Sequence, residues 1–341
     1  EQAEGFNPTI VAGEEPELPP VASNYADFVN WQAKLLASEQ GERLGKYWEQ
    51  QLAGAPHVLE LPTSRQRPAR FSSRAGVVPC YLEKNVTAAV SDLAAREKVT
   101  IYCVLLAAYQ ILLGRYSGQH DFLVGTPFVG RSRREFENTV GYFVNLLPIR
   151  ARIDGNSTFR QLLRHVSNTA LEALEYQDYP LSLIVERLQV PRDPSRPALV
   201  QATFTLERSH REEEAGRGRF LFPESEAHVD VGGLLGETYY VEHQCCRHEL
   251  EMVLEQSSGS VNGLLCYCAE LFDRPMMERM VEHYHILLKH AVAHPDVPLW
   301  ELDWFTDTER QSVVHEWNQT EMDCPRDVTL HRLFEQQAKR T

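Results

Sequence analysis

Asn138-Thr-Val-Gly-Tyr-Phe-Val-Asn-Leu-Leu-Pro-Ile-Arg150 is mostly apolar, yet Gly141 and Asn145 interrupt it and Pro148 stands near its end. A plain buried strand has little use for these three residues. Glycine weakens a strand and marks a close approach of other atoms, and proline removes a ladder donor. The stretch reads as the end of a strand, LLPIRARI, entered through a segment whose glycine and amide have a specific task.

Working outward, DFLVGTPFVG on its amino side reads as a second strand. Before it, Thr100 caps IYCVLLAAYQILLGRYSG, a helix apolar on nearly all sides, which must be buried in a sizeable domain. GVVPCYLE reads as a strand and NVTAAVSDLAARE as an amphipathic helix. On the carboxyl side a long helix runs from Thr158 to about Tyr176, and Thr158-Phe-Arg-Gln161 has capping-box form. LVQATFTL is a strand, REEEAGRGR a polar loop, and ETYYVEHQ, ELEMVLEQ and VNGLLCYCAEL are further strands. The last two are joined across SSGS as a hairpin. A long helix from Phe272 to Ala293 and a short one around Thr308 to Trp317 follow.

Upstream, Asn24 caps a helix with Phe28, Trp31 and Leu35 at helical spacing. A second helix sets Leu44, Tyr47, Trp48 and Leu52 on one side and stops at Gly54. GEEPELPPVA reads as a surface connector, and PTSRQRPARFSSRAG as a long exposed crossing with solvated arginines. Strands and helices alternate, but the late hairpin is antiparallel. The fold class is therefore α/β, a mixed sheet flanked by helices.

The chain has 341 residues, enough for about two lobes, and 43% are hydrophobic, enough for a real core. A net charge of −14 disfavours a nucleic-acid surface, which needs a basic face. The seven cysteines show no C-x-x-C spacing and read as reduced thiols of a cytoplasmic protein. No apolar run reaches the length of a membrane span. Both ends read as cut from a longer polypeptide.

Two clusters invite chemistry that their spacing does not support. His283, His285, His290 and His294 crowd one helix, but only the last two have i, i+4 spacing, and they read as surface and boundary residues rather than metal ligands. Cys245 and Cys246 point to opposite faces if they lie on a strand, which leaves one of them buried and inert. Phosphate loops, nucleophile elbows and zinc-protease motifs are missing from the sequence.

What remains are mixed apolar and polar clusters at element ends: YADFVNW (25–31), VGYFVNLLPIR (140–150), YQDYP (176–180) and RDPSRPAL (192–199). Singly each has an ordinary structural reading; Asp193 and Ser195, for instance, suit an Asx turn. In this order and at these separations they resemble the later motifs of the condensation domains of non-ribosomal peptide synthetases. GTPFVGRSR, YWEQQLAGAP with LELPTSRQRP, and the tail WNQTEMDCPRDVTLHRLFEQQAKRT resemble the family's flanking stretches, its inter-lobe linker and its junction with an adenylation domain.

The resemblance implies a chloramphenicol acetyltransferase-like lobe: 1–75 as the end of a first lobe and connector, 76–317 as the second lobe, and 318–341 as linker and start of an adenylation domain. It implies amide formation between substrates tethered to upstream and downstream carrier proteins through 4'-phosphopantetheine, with no cofactor bound directly and an adenylation domain alongside; the alternatives are a non-catalytic module that docks carrier or adenylation domains, and an epimerisation or heterocyclisation relative. The family's HHxxxDG motif, whose second histidine serves the attacking amine, does not occur in this sequence, and the resemblance places it before Glu1. The expected substrate-tunnel and motif residues are Tyr25, Asp27, Trp31, Gly141, Phe143, Asn145, Gln177, Asp178, Arg192, Asp193, Ser195 and Arg196. Arg131, Arg133 and Arg134 are the expected carrier-docking cations, and the Gly232-Gly233 region is expected to bridge the lobes.

Overall fold

The computed structural model describes residues 23–208, 228–231, 234–237, 244–257, 259–320 and 328–340. The 13–22 connector, the REEEAGRGR loop, Gly232-Gly233, most of ETYYVEHQ, and Cys324 lie outside the described residues.

Six strands form one mixed sheet: β1 (Ala75–Tyr81), β2 (Asp121–Phe128), β3 (Asn145–Arg152), β4 (Ala202–Arg208), β7 (Leu250–Ser257) and β8 (Ser260–Cys268), in the order β1-β8-β7-β4-β2-β3. The centre is parallel, with Val124 opposite Ala202 and Ala202 opposite Leu250. Antiparallel partners close both sides. β3 pairs with β2, and the β7–β8 hairpin turns between Ser257 and Ser260 and adds β1. A separate antiparallel pair, β5 (His228–Val231) and β6 (Leu234–Glu237), aligns His228 with Glu237.

The helices are α1 (Tyr25–Leu36), α2 (Glu39–Gln51), α3 (Lys84–Glu97), α4 (Ile101–Ser117), α5 (Phe159–Glu175), α6 (Leu181–Arg187) and α7 (Arg274–Ala293). α4 is the core: every residue from Cys103 to Gly114 is buried, against α3, α5, α7 and strands β2 and β4. The expected caps are present. Asn24, Thr100 and Thr158 each accept a backbone N–H from the first turn, and Thr158 and Gln161 complete a capping box. α7 starts at Arg274 rather than Phe272, because Asp273 caps it and the proline behind has no N–H to offer the first turn.

Two expectations are corrected. The 62–76 crossing is not uniformly solvated: Arg67 donates to both oxygens of Glu249 at 2.6 and 2.9 Å, with side-chain exposures of 18% and 0%. A carboxylate that deep needs a cation, and the linker supplies it. His283 is buried, not a boundary residue; its Nδ1 meets the Tyr116 hydroxyl at 2.8 Å and its ring packs on Trp304. Of the cysteine pair, Cys246 is buried and Cys245 exposed, as expected.

Residue contacts divide the chain after Trp304. The unit beginning at Phe305 contains α8 (Asp307–Gln311), capped reciprocally by Thr306 and Glu309, and α9 (Leu330–Ala338). The short helix expected to reach Trp317 changes into a π-helical turn over Ser312–Glu316.

Candidate substrate cleft and its frame

Asn145 opens β3 opposite Phe128, the last residue of β2. Its Nδ2 donates to the carbonyls of Gln177 and Tyr179, both at 2.8 Å, and its Oδ1 accepts from the Leu181 N–H at 3.2 Å. An asparagine amide has two donor hydrogens, and both are engaged. One side chain thus fixes the YQDYP turn between α5 and α6. Pro180, with φ −64°, occupies the cap position of α6, and Gln177 Nε2 donates to Leu174 O at the end of α5.

The neighbouring clusters close on this turn. Asp178 accepts from the Ser132 hydroxyl at 2.8 Å, joining YQDYP to the GRSRR loop. Burial pushes the Asp178 carboxyl above the usual carboxylate range, against the pull of Ser132 and Arg133. Tyr47 stacks on Tyr176 with centroids 3.7 Å apart, and Trp48 Nε1 donates to Tyr176 O at 3.1 Å. Arg150, at the far end of the opening stretch, clamps Asp121 with two N–H groups at 2.8 and 2.6 Å. It also donates to the Gln51 and Ala53 carbonyls, ending α2.

The segment between β2 and β3 is held by aromatics. Phe28, Phe136 and Phe143 are buried together, with Trp31 packed beside them. Tyr25 donates to Tyr142 O at 2.7 Å, and Asp27 completes the capping box of α1 with Asn24. Gly141 lies under the Tyr25 ring, where a Cβ would come within 2.2 Å of Cδ2.

The three arginines separate. Arg131 is turned inward: it stacks on Phe143, 4.1 Å from the centroid, and donates to Thr139 O at 2.8 Å. It holds the loop, a contact that the other two do not make. Arg133 and Arg134 are exposed; Arg133 pairs with Glu135 at 2.9 Å and lies over Trp31.

RDPSRPAL forms a different joint. Asp193 accepts from Ser195 N–H at 2.8 Å and Oγ at 2.6 Å, the expected Asx turn, and these bonds hold its carboxyl below the usual range. Arg196 pairs with Asp193 and reaches Glu60, Arg67 donates to Ser195 O, and Phe71 N–H donates to Pro194 O. Arg192 is exposed. No hydrogen bond among the described residues ties this joint to Asn145. The buried Gln201, which was not singled out in the sequence, receives Leu59 N–H and donates to His57 O and Pro197 O. A lone amide inside the apolar run LVQATFTL was its only signal.

Beside the Asn145 frame lies a cleft of about 330 Å³. It opens between the first turn of α4, the ends of β2 and β4, and one side of α5. Parallel strands end here together, the position where open α/β sheets receive ligands. Phe128, Leu171, Leu174 and Leu206 give an apolar lining, and the Tyr102 hydroxyl meets Thr126 Oγ1 at 2.9 Å within it. Leu171 and Leu174 are 62% and 48% exposed, while the core stripe of α5 is Phe159, Leu162, Leu163 and Val166. The second apolar stripe was present in the sequence, but it reads as part of an ordinary amphipathic helix.

The family model of the condensation domain matches residues 8–314. The chain belongs to the condensation-domain family. Tyrocidine synthase 2 of Brevibacillus parabrevis is 34% identical over 325 residues, 95% of this chain and 9% of that one. Surfactin synthase subunit 1 of Bacillus subtilis (strain 168) is 32% identical over 323 residues, again 95% of this chain and 9% of the relative. This condensation-domain chain therefore spans less than a tenth of these relatives.

Among solved structures, holo-AB3403, a four-domain nonribosomal peptide synthetase bound to AMP and glycine, superposes with TM-score 0.77 at 25% identity, covering 87% of this chain and 22% of that one. The X-domain from teicoplanin biosynthesis gives 0.73 at 23% identity, covering 87% and 66%. The mixed sheet and its helices are thus the chloramphenicol acetyltransferase-like fold of condensation domains, as expected. Among the described residues no histidine, cysteine and carboxylate cluster could hold a metal, and no single helix is long and apolar enough to cross a membrane.

Proposed function

We propose that this condensation domain serves amide formation in a peptide synthetase by holding carrier-tethered substrates. In that reaction the amine of the acceptor attacks the donor thioester carbonyl. The C–N bond forms, the C–S bond breaks, and the sulfur leaves as the thiol of the donor's phosphopantetheine arm after the amine gives up a proton. The arm arrives with the carriers as part of the substrate. Upstream and downstream carriers, with an adenylation domain after residue 318, are the partners of this reading, and the compartment is the cytoplasm.

The observation that carries the proposal is the Asn145 frame. Its amide joins the start of β3 to the YQDYP turn, and Asp178 of that turn joins it to the GRSRR loop, at the edge of an apolar cleft. The frame sets the cleft wall; it performs no proton transfer, and the 341 residues contain no adjacent histidine pair. The chain as given is accordingly expected to form no amide by itself. We divide the parent into a first-lobe end and connector (1–75), a second lobe (76–317) and the following linker, with 23–75 packed on the second lobe through Trp48 and Leu59.

Arg133 and Arg134 are the cations offered to an acidic carrier face or an arm phosphate. The test is product formation on the loaded parent synthetase, read as the mass of the downstream carrier's tethered product. An amide product that grows with time supports the reading, and loaded carriers that never exchange acyl groups overturn it. Reversing Arg133 and Arg134 to glutamate is expected to weaken carrier binding and flatten its salt dependence.

A further inference from the structure

The cleft beside Asn145 also specifies what it takes, an inference that rests on the substrate-holding reading above. α5 carries two apolar stripes. One enters the core, and the other, with Ala170, Leu171 and Leu174, faces the cleft. A helix side that leaves two leucines largely open to solvent has apolar surface to cover. Opposite it stand Phe128 and Leu206, from the ends of two different strands.

The polar groups are few and neutral. The Tyr102 and Thr126 hydroxyls lie 2.9 Å apart, and among the described residues no Asp, Glu, Lys, Arg or His lines the cleft. A charged side chain entering here would lose its water without gaining a counter-charge, whereas an apolar one would cover both leucines. The volume of about 330 Å³ lies at the lower end of the range of small-ligand clefts, roughly 300–1,000 Å³.

We infer that this cleft is a side-chain subsite selecting an apolar aminoacyl or acyl group, with Leu171, Leu174, Phe128 and Leu206 as its specificity-determining residues. Ser167 and Thr205 are also on the lining.

The experiment has two arms. In the first, the chain is titrated with non-hydrolysable pantetheine amides of leucine, phenylalanine and aspartate, and binding is followed by calorimetry. The leucine and phenylalanine amides are expected to bind about tenfold or more tighter than the aspartate amide, the scale on which apolar pockets discriminate. Leu174→Lys and Leu171→Lys are expected to abolish that preference. Both sites are solvent-exposed, and unchanged thermal unfolding of either variant certifies its fold.

Equal affinity for the three amides, no binding of any, or a preference untouched by both substitutions overturns the inference. In the second arm the loaded parent synthetase is assayed with the same variants. Amide formation indifferent to them sinks the subsite and leaves the substrate-holding reading standing. Absence of amide formation in the unsubstituted parent sinks that reading, and the binding arm then judges the subsite alone.

Discussion

The ring of Tyr25 lies so close over Gly141 that a Cβ at that glycine would sit 2.2 Å from Cδ2. The glycine in the opening stretch is therefore a contact requirement between α1 and the loop before β3. Tyr25 is also fixed by its hydrogen bond to Tyr142 O, so the ring cannot swing away freely. Gly141→Ala is expected to lower stability in urea by about 1–3 kcal/mol, the range of overpacked sites. Tyr25→Ala in the same chain should restore most of that loss, and an unrestored loss would place the strain elsewhere.

Arg67 and Glu249 give a second prediction. Arg67→Met leaves a fully buried carboxylate without its cation and is expected to cost about 3–5 kcal/mol. The double substitution Arg67→Met with Glu249→Leu should recover stability to near the parent level. Equal losses in the single and double variants would show that the linker is held by other contacts.

Gln110 lies in the middle of α4, fully buried, and neither its Nε2 nor its Oε1 has a hydrogen-bond partner among the described residues. An unpaired buried amide costs about 1–3 kcal/mol. Gln110→Leu is expected to raise the midpoint of urea unfolding, and a lowered midpoint would mean that the amide has a partner in solution.

Acid should loosen the domain through its histidines. Burial holds the imidazoles of His165, His285 and His290 below their ordinary value of 6.5, and for His290 the neighbouring His294 adds to the effect. His290 Nδ1 accepts the Asp303 N–H at 3.1 Å, which requires the neutral ring. With folded values depressed, the unfolded chain binds more protons. The stabilisation is complete above 6.5 and is lost as pH falls from there through the folded values. Melting temperatures are expected to fall below pH 6.5, less steeply in His285→Gln, and a slope unchanged by that substitution would contradict this assignment.

The strands and helices around the opening stretch were legible because their period, caps and breakers agree: Thr158-Phe-Arg-Gln161 is a capping box in sequence and in space. The frame was legible as a set of clusters but not as a geometry. Asn145 read as an amide facing a substrate chain, yet its hydrogens serve the Gln177 and Tyr179 carbonyls, partners more than thirty residues away. Arg131 could not be separated from Arg133 and Arg134 on a run of like charges, because what draws it inward, the Phe143 ring and the Phe136 and Thr139 carbonyls, shows only in the fold. The cleft stripe was hidden for a similar reason: Leu171 and Leu174 look like core until the sheet shows where the core stops.

The central claim is that the Asn145 frame holds a substrate cleft for amide formation, and single-turnover product formation on the loaded parent synthetase tests it most directly. Asn145→Ala removes both donors to the YQDYP turn, an expected loss of about 1–3 kcal/mol for carbonyls left unpaired, so the domain's fold must be verified beside the assay. The account predicts that the parent forms the amide, and that Asn145→Ala, folded and normally loaded, forms it far more slowly. Amide formation at the parent's rate in that variant would contradict it.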